Sequence, residues 1–253
     1  YLNARSTIST LLSLGALPVV NENDTVATSE IRYGDNDRLA ARVAQMISVD
    51  CLVLLSDIDG LYTADPKGNP DARFIREVTD LNDDILAMAS KTKTDVGRGG
   101  METKLKAAQI AMAAGCNMFI TSGTIAHPLK SMQEGANFTC FIARDTPRSA
   151  RKKWIAAGLS SSGRLTIDAG AEKALKSGKS LLPAGVTQVE GEFQRGDLVT
   201  VVNMADIELG RGLVAYSSDD AARIIGHKSG EITEILGYSG RDEMIHRDEL
   251  ALN

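Results

Sequence analysis

The first 143 residues alternate between amphipathic segments with helical spacing and short apolar runs bounded by polar residues. The amphipathic segments predict helices over residues 3–14, 37–47, 82–89, 102–114 and 128–134. The apolar runs predict strands over residues 17–20, 51–55, 117–121 and 138–143. Because helices alternate with strands that are apolar throughout, the pattern predicts a parallel sheet covered by helices on both faces. We therefore expect a three-layer α/β domain.

The pattern changes after residue 143. Residues 144–153 carry five basic side chains and a proline, and a stretch of small residues follows, which is typical of a linker. Beyond it, glycine turns at Gly185, Gly196 and Gly210 separate short alternating runs, which predict a small β-barrel. Its strands are expected over residues 164–167, 186–189, 197–202 and 212–216, with a helix near 169–177. We place the first domain at residues 1–148, the linker at 149–162, the barrel at 163–240 and a C-terminal tail at 241–253.

The composition is that of a globular protein with one large or two ordinary domains, at 253 residues of which 43% are hydrophobic. A net charge of -5 gives no general attraction for polyanions or an anionic membrane. Cys51, Cys116 and Cys140 have no paired spacing, which predicts buried free thiols in a reducing compartment. No apolar stretch approaches the ~20 residues of a membrane span, and no leader pattern is present. We expect a cytoplasmic protein without membrane contact.

Polar side chains follow the predicted strands, at the edge of an α/β sheet where ligands gather. Asn21 follows the first strand and Ser56 and Asp57 follow the second, while Asn36 and Asp37 stand where a helix begins. Turn chemistry or capping explains each group taken alone, since an N-cap at Asn36 or Asp37 would contribute about 1 kcal/mol. Their joint placement along one rim favours a binding site.

A glycine turn, Gly97-Arg98-Gly99-Gly100, opens directly into the helical pattern that contains Lys104. Glycines let the backbone approach a ligand, the first amides of a helix are unpaired, and Lys104 can reach a bound phosphate. The lysine follows the last glycine by four residues and no Ser or Thr comes after it, so the spacing is not that of a P-loop. An ordinary junction between a loop and a helix explains the run equally well.

Four strings together resemble the glutamate 5-kinase branch of the amino acid kinase family. They are Val-Val-Asn21-Glu-Asn-Asp24, Gly34-Asp-Asn-Asp37, Leu-Leu-Ser56-Asp57 with Gly60-Leu-Tyr-Thr-Ala-Asp65-Pro66, and Gly99-Gly-Met-Glu-Thr-Lys104. Their order and spacing match over nearly the whole chain. The resemblance implies transfer of the γ-phosphate of ATP to the side-chain carboxylate of L-glutamate, the step that begins proline biosynthesis. Aspartate and acetylglutamate kinases are the nearest alternatives.

The resemblance implies a substrate site and a catalytic pair. Asp24 and Asn36 match positions that hold the amino acid substrate, and Asn21 lies in the same loop. Asp37 matches an aspartate that organises catalytic lysines, of which Lys104 is one. A carboxylate nucleophile is already ionised at neutral pH, so the reaction needs cations to stabilise the transferring oxygens rather than a general base.

The resemblance also implies a nucleotide site. Ser56 and Asp57 match a nucleotide-contacting pair that is often Thr-Asp in the family. Mg²⁺ is expected on the phosphate oxygens of ATP, because the sequence offers no dedicated carboxylate cage for a metal. The nucleotide loop is matched by Arg98, Gly99, Gly100, Met101, Glu102, Thr103 and Lys104.

Four further expectations follow from the resemblance. Family members carry another lysine and a glycine-rich phosphate loop on their first strand, and nothing in this sequence matches them. We therefore expect that an N-terminal portion of the domain is absent and that these 253 residues alone have no measurable kinase activity. A homo-oligomer inhibited by proline is also expected, with residues 25–33 as the candidate proline-responsive loop or else a plain hairpin.

The second domain resembles the PUA domain. The matching strings are Asp168-Ala-Gly-Ala171, Ser180-Leu-Leu-Pro-Ala-Gly185, Phe193-Gln-Arg-Gly-Asp197 and Gly212-Leu-Val-Ala-Tyr216. A PUA domain follows the kinase domain in many bacterial glutamate 5-kinases, whereas the alternative kinases lack it. Because other PUA domains bind RNA, a non-catalytic RNA-binding module is a further alternative. Residues 151–253 hold 13 Lys and Arg against 15 Asp and Glu, which disfavours RNA binding.

Overall fold

A computed structural model describes residues 2–21, 36–90, 100–158 and 160–253 of the chain. The chain divides into two units, one formed by residues 3–150 and the other chiefly by residues 151–253. The first unit holds the glycine turn and the polar strand ends, so its architecture decides which of the predicted site residues come together.

Within the described residues, four strands of the first unit form one sheet in the order β1, β5, β6, β4. A separate hairpin pairs β2 with β3. β1 and β5 are parallel, with Ser56 opposite Ser122, so their carboxyl ends meet at one edge of the sheet. The strands are β1 (Cys51–Ser56), β2 (Leu61–Tyr62), β3 (Phe74–Ile75), β4 (Glu77–Val78), β5 (Asn117–Ser122) and β6 (Phe138–Phe141).

The sheet is mixed, which corrects the prediction of a wholly parallel sheet. β6 runs antiparallel to β5, and β4 runs parallel to β6. Between β5 and β6 the chain holds only one short helix, α5 (Pro128–Gln133). Six helical residues advance about 9 Å, whereas a strand of six residues spans about 20 Å. The helix is too short to return the chain to the start of β5, and β6 therefore begins near the edge where β5 ends.

Two helices of the first unit share a core built from small side chains. α2 (Asn36–Ile47) and α4 (Met101–Ala113) pack against each other. Buried alanines come from both helices, which allows the backbones to approach closely: Ala41, Ala44, Ala107, Ala108 and Ala111. α3 (Asp83–Ser90) also packs on α4. This packing brings the first turns of α2 and α4 together.

The strand predicted over residues 17–20 is wrong. α1 (Leu2–Ser13) has its predicted place, but the residues after it are irregular, and Leu17 and Val19 are 85% and 87% exposed. A strand requires a hydrogen-bonding neighbour, and Pro18 has no N–H to donate. In the described part of the chain the segment pairs with no strand, so its apolar pattern does not produce one.

The second unit is a five-stranded mixed sheet within its described residues, in the order β11, β10, β9, β7, β8. β7 and β9 are parallel and the other neighbours are antiparallel. Leu165, Ile167, Val199 and Val201 of this sheet are fully buried. The strands are β7 (Gly163–Ile167), β8 (Val186–Gly191), β9 (Leu198–Asn203), β10 (Glu208–Leu213) and β11 (Leu250–Leu252), and the helices are α7 (Ala169–Lys176), α8 (Ser218–Ile224) and α9 (Ile232–Leu236).

The turn predicted at Gly210 is wrong, because this glycine lies inside β10 and the strand ends at Leu213. A Cβ on Gly210 would collide with the carbonyl oxygen of Ala251 in the neighbouring strand. Gly212 is similarly constrained, since a Cβ there would lie 2.7 Å from Cγ2 of Ile245. Gly210 thus permits close approach of β11, and Gly212 leaves room for Ile245, rather than either glycine changing the chain direction.

The segments predicted as a linker and a C-terminal tail are largely built into the second unit. Residues 147–156 form a helix, α6 (Pro147–Ala156), and its Ile155 is buried with Leu213 and Ala251. In the predicted tail, Met244 and Ile245 are fully buried and β11 pairs with β10. Basic residues on an amphipathic helix account for the composition that predicted a linker.

All three cysteines are free, but Cys51 is exposed, which corrects the expectation of three buried thiols. Cys116 is buried, and burial together with the neighbouring Cys51 and Asp50 raises its pKa to about 11.

Among the described helices, none combines the length and apolar character that crossing a membrane requires.

Candidate functional site

A cavity of about 330 Å³ opens where β1 ends and α4 begins. Asp57 comes from the end of β1, and Gly100, Met101 and Lys104 come from the start of α4. Tyr62 of the hairpin forms a further part of the wall. The structure therefore brings Asp57 together with three predicted nucleotide residues that lie 43 to 47 positions further along the chain.

The first turn of α4 presents backbone amides to this cavity without a side-chain cap. Gly100 is the N-cap residue, with extended backbone dihedrals, and it provides no side-chain cap. Unpaired amides and the helix dipole make such a helix start favourable for an anion. A Cβ on Gly100 would meet no atom of the described residues within 4 Å.

Lys104 forms an ion pair with Asp37 at the side of the cavity. Its Nζ lies 3.1 Å from Oδ2 of Asp37, and the two side chains are 9% and 19% exposed. Lys104 extends from the first turn of α4 and Asp37 from the first turn of α2, so the packing of these helices sets their separation. The ammonium group of Lys104 therefore lines the cavity, and the carboxylate of Asp37 balances its positive charge.

Another part of the cavity wall contains Tyr62, whose hydroxyl group is hydrogen-bonded to the carboxylate of Asp59. The hydroxyl of Tyr62 lies 3.0 Å from Oδ1 of Asp59, and Asn137 donates to Oδ2 of the same carboxylate at 2.9 Å. The ring of Tyr62 meets Phe74 edge to face. Burial, with the hydrogen bond to Asp59, raises the pKa of Tyr62, so its hydroxyl remains a donor at neutral pH.

A buried hydroxyl group forms hydrogen bonds that join the β2–β3 hairpin to the sheet. Oγ1 of Thr139, which is fully buried on β6, accepts from the amide of Leu61 at 2.7 Å and donates to the carbonyl of Ile75 at 2.6 Å. Gly60 passes beside it, since a Cβ there would lie 2.6 Å from the same oxygen. The φ of Gly60 is +157°, which also favours glycine. The hairpin is thus held against β6 at two points.

Three predicted nucleotide residues have other contacts. Ser56 donates to Oδ1 of Asp57 at 3.0 Å and so orients that carboxylate. Glu102 accepts from Lys106 at 2.6 Å on the exposed side of α4, and this hydrogen bond lowers its pKa. Thr103 is directed to Asp37 rather than into the cavity. The glycine-rich pattern predicted that the start of α4 lies at the cavity, but not which of its side chains line it.

A second space, of about 500 Å³, lies along α2 and the edge of β1. Asn21 and Asn36, two of the predicted substrate residues, line it among mainly apolar side chains that include Val20 and Leu39. Asn36 lines this space, and the next residue, Asp37, contacts Lys104 of the first cavity. Asn21 and Asn36 of the predicted substrate residues therefore line one space, whereas Asp57, Gly100, Met101 and Lys104 of the predicted nucleotide residues line the other.

Some predicted residues lie outside the described part of the chain. These are Asp24, Arg98, Gly99 and the candidate proline-responsive loop of residues 25–33. Conversely, Asp59, Tyr62 and Asn137 shape the cavity although the sequence did not single them out as a site. The polar run after β1 was a signal for Asp59 and Tyr62, but nothing near Asn137 pointed to this contact.

The described residues contain no group of three or more His, Cys, Asp or Glu side chains that could hold a metal ion. The acidic side chains of the cavity wall are separately engaged. Asp59 accepts from Tyr62, and Asp65 accepts from the amide of Lys67 at 2.9 Å. A cation bound here would need ligands from a bound molecule as well.

The chain matches two family models and a series of longer relatives. The model "Amino acid kinase family" matches residues 1–122, and the model "PUA domain" matches residues 163–236. A protein of Paramagnetospirillum magneticum named "Glutamate 5-kinase" is 61% identical over 252 residues, covering 100% of this chain and 68% of that protein. A protein of the same name from Agrobacterium fabrum is 57% identical over 252 residues, covering 100% of this chain and 65% of its own.

A solved UMP kinase from Ureaplasma parvum aligns with 55% of this chain and 52% of its own, at 19% identity and a TM-score of 0.39. That score is too low for an argument about function. The chain spans about two thirds of the length of the curated relatives it matches.

Proposed function

The chain belongs to the glutamate 5-kinase family, and from this premise we propose that the enzyme containing it transfers the γ-phosphate of ATP to the side-chain carboxylate of L-glutamate. The observation that carries the proposal is the cavity at the start of α4, where the N-terminal end of the helix and the side chain of Lys104 line the wall. An anion as highly charged as a polyphosphate is stabilised by both groups.

ATP would bind with its phosphates at the first turn of α4 and its base toward the hairpin. Gly100 leaves room for the phosphates, and Lys104 contributes positive charge beside them. Met101 and Tyr62 supply apolar surface for the base. Asp57, oriented by Ser56, is a hydrogen-bond acceptor in the wall.

L-Glutamate would bind at the polar end of the second space, where Asn21 and Asn36 offer amide groups. Asn36 lines this space and the next residue, Asp37, contacts Lys104, which supports transfer at the start of α2. Asp24 belongs to the same proposed substrate site by its position in the sequence. Arg98 and Gly99 belong to the proposed nucleotide site on the same ground.

The proposed transfer is a single displacement. A carboxylate oxygen of glutamate forms a bond to the γ-phosphorus, and the bond to the β,γ-bridging oxygen breaks, so ADP leaves with that electron pair. The nucleophile is already ionised at neutral pH, and no base has to remove a proton. Lys104 stabilises negative charge on the transferring oxygens, and Asp37 keeps its ammonium in place.

Mg²⁺ would enter with ATP, held chiefly by β- and γ-phosphate oxygens. The separate engagement of the acidic side chains in the wall supports this division of roles. The metal would neutralise phosphate charge, while the protein positions the nucleotide.

The test is an assay of the complete product of the encoding gene with Mg²⁺, ATP and L-glutamate. Glutamyl phosphate, trapped by hydroxylamine as the hydroxamate, should form together with ADP. L-Aspartate and N-acetyl-L-glutamate, tested in the same way, should give little product. Preferred turnover of either analogue would replace the proposed substrate, and no turnover of any of them would contradict the proposal.

Four related properties are proposed with it. The 253-residue chain assayed alone should lack measurable turnover, and activity equal to that of the complete gene product would contradict this. The enzyme should be cytoplasmic, form a homo-oligomer and be inhibited by proline. Its three free cysteines support a reducing compartment, and the exposed side chains of Leu14, Leu17 and Val19 support burial against further protein. RNA binding by the second unit is disfavoured by its net negative charge.

A further inference from the structure

Two polar groups of α4 contact one oxygen of Asp37. Its Oδ2 lies 3.1 Å from Nζ of Lys104 and 2.9 Å from Oγ1 of Thr103. Thr103 and Lys104 are consecutive in α4, so the carboxylate of α2 contacts two adjacent positions of the other helix. We propose that Thr103 is a positioning residue, which holds the Asp37 carboxylate so that Lys104 points to the transferring phosphate. The inference rests on the proposed function of the same site.

The hydroxyl of Thr103 is committed to this contact. It also lies 2.7 Å from the carbonyl oxygen of Gly100, so its single proton is placed between two protein acceptors. An ionised carboxylate attracts that proton more strongly than a carbonyl, because hydrogen bonds to charged acceptors are the stronger ones. The carbonyl of Gly100 already accepts from the backbone amide of Thr103 at 3.1 Å. The proton is therefore assigned to Asp37, and the hydroxyl is not a nucleotide donor.

Threonine suits such a role better than a flexible side chain. In a helix its branched Cβ restricts the side chain to two rotamers, so little freedom is lost when the hydroxyl contacts Asp37. Lys104 has the opposite character, since its long side chain can reach many positions. A carboxylate fixed by Thr103 limits that range to the region beside the cavity, where the lysine side chain is found.

The inference separates catalysis from nucleotide affinity. A residue that touches ATP raises the KM or Kd of ATP when it is removed. A residue that only aligns Lys104 lowers kcat instead, because the ammonium remains present but is less often in the productive position. Thr103 should belong to the second class, although it stands in the middle of the loop that resembles a nucleotide motif.

The experiment compares Thr103→Val and Thr103→Ser in the complete gene product, each with and without Asp37→Asn. Thr103→Val keeps the shape and removes the hydroxyl, and kcat should fall by about tenfold with the KM of ATP changed by less than about twofold. Thr103→Ser should recover most of kcat. In the Asp37→Asn background, Thr103→Val should cause almost no further loss, because both substitutions act through the same carboxylate.

Three results would overturn the inference. The first is a raised KM of ATP at unchanged kcat, which would make Thr103 a nucleotide contact. The second is the same tenfold loss with and without Asp37→Asn, and the third is a Thr103→Ser variant no better than Thr103→Val. Thermal unfolding curves of all variants identify any loss caused by misfolding, and Thr103→Ala replaces a valine variant that does not fold. A wild-type enzyme without kinase activity would instead contradict the proposed function.

Discussion

Each unit of this protein buries an ion pair, but the two pairs have different surroundings. Lys104 and Asp37 lie beside a cavity, next to an uncapped helix start. Arg151 and Glu249 are 6% and 4% exposed, and α6 is packed there on an apolar cluster around Ile155. Both Nε and Nη2 of the arginine approach Oε2 of Glu249, with Nε at 3.0 Å.

The difference separates a structural ion pair from one that we propose serves a reaction. Desolvating two charges is costly, and a pair without access to a ligand is retained only with good hydrogen-bond geometry, which the planar guanidinium supplies. A lysine beside a cavity can be shared between its carboxylate and an incoming anion. Substitutions at the two pairs should therefore change different properties, stability in one case and catalysis in the other.

The largest effect is expected when Lys104 is replaced by methionine. Removal of its charge should lower kcat/KM of the complete gene product by about a thousandfold, because one preorganised donor to a transferring oxygen is lost. Lys106→Met is the matched control, since Lys106 is exposed on the same helix and pairs with Glu102. Steady-state ADP release measures both. Equal losses in the two variants would show that position in the cavity has no importance.

Replacing Glu249 by glutamine should act on stability instead. Arg151 would keep a buried charge and lose the carboxylate of Glu249, and the free energy of unfolding should fall by about 3 kcal/mol. Glu208→Gln, which removes a more exposed partner of Arg211, should cost less than about 1 kcal/mol. Urea unfolding followed by circular dichroism checks both values. A Glu249→Gln protein that unfolds like the wild type would remove the contrast between the two pairs.

Two glycines extend the comparison to the backbone. Gly210→Ala should destabilise the second unit by about 1–3 kcal/mol, because its methyl group would collide with the β11 backbone. Gly100→Ala should leave the unfolding midpoint nearly unchanged, since no atom of the described residues lies within 4 Å of the added carbon. It should nevertheless weaken ATP binding, because the methyl group would enter the space assigned to phosphate. Isothermal titration with an ATP analogue measures binding, and urea unfolding measures stability. A destabilised Gly100→Ala protein with unchanged ATP binding would contradict the assignment of this space to phosphate.

Two tyrosines give a smaller contrast. Tyr62 contacts Asp59 in the cavity wall, and Tyr238 donates to Asp220 in the second unit at 2.7 Å. Tyr62→Phe should weaken ATP binding by about threefold, through loss of one hydrogen bond that orients the wall. Tyr238→Phe should not change it. Equal effects of both variants on the Kd of the nucleotide would argue against a wall built around Tyr62.

The smallest effect is a pH dependence in the second unit. Burial and the Asp220 carboxylate raise the pKa of Tyr238 to about 12, whereas an unfolded tyrosine titrates near 10. The folded state therefore holds the proton more tightly, and this stabilisation is complete below pH 10 and is lost as pH rises toward 12. Tyr238→Phe should reduce the fall in the urea midpoint between pH 9.5 and about 11.5. An identical fall in the variant and the wild type would show that Tyr238 makes no contribution.

Local patterns predicted those helices and strands that carry their own periodicity. The segments predicted around β1, α4 and β5 appear within one or two residues of their expected bounds, because each carries its own periodicity. The strand predicted at residues 17–20 failed because hydropathy does not reveal whether a strand has a neighbour. The antiparallel direction of β6 depends on the distance that α5 spans, which the local pattern does not give. The position of Gly210 inside a strand depends on how closely β11 packs beside it.

The candidate site could be predicted in outline but not in detail. Strand ends and a glycine-rich helix start indicated Asp57, Gly100 and Lys104, and these residues do line one cavity. The direction of Thr103 toward Asp37 depends on the packing of α2 on α4, and the contact of Asn137 with Asp59 joins residues 78 positions apart. Neither contact has a signature in a single stretch of sequence.

The central claim is that the cavity at the start of α4 binds the nucleotide. Its most direct test is an NMR titration of the complete gene product, isotope-labelled, with Mg²⁺ and a non-hydrolysable ATP analogue. Saturable shifts are expected at the amides of Gly100 to Lys104 and of Asp57 to Tyr62, and they should be lost in Lys104→Met. Shifts confined to residues 163–253, or none at millimolar analogue, would contradict the account.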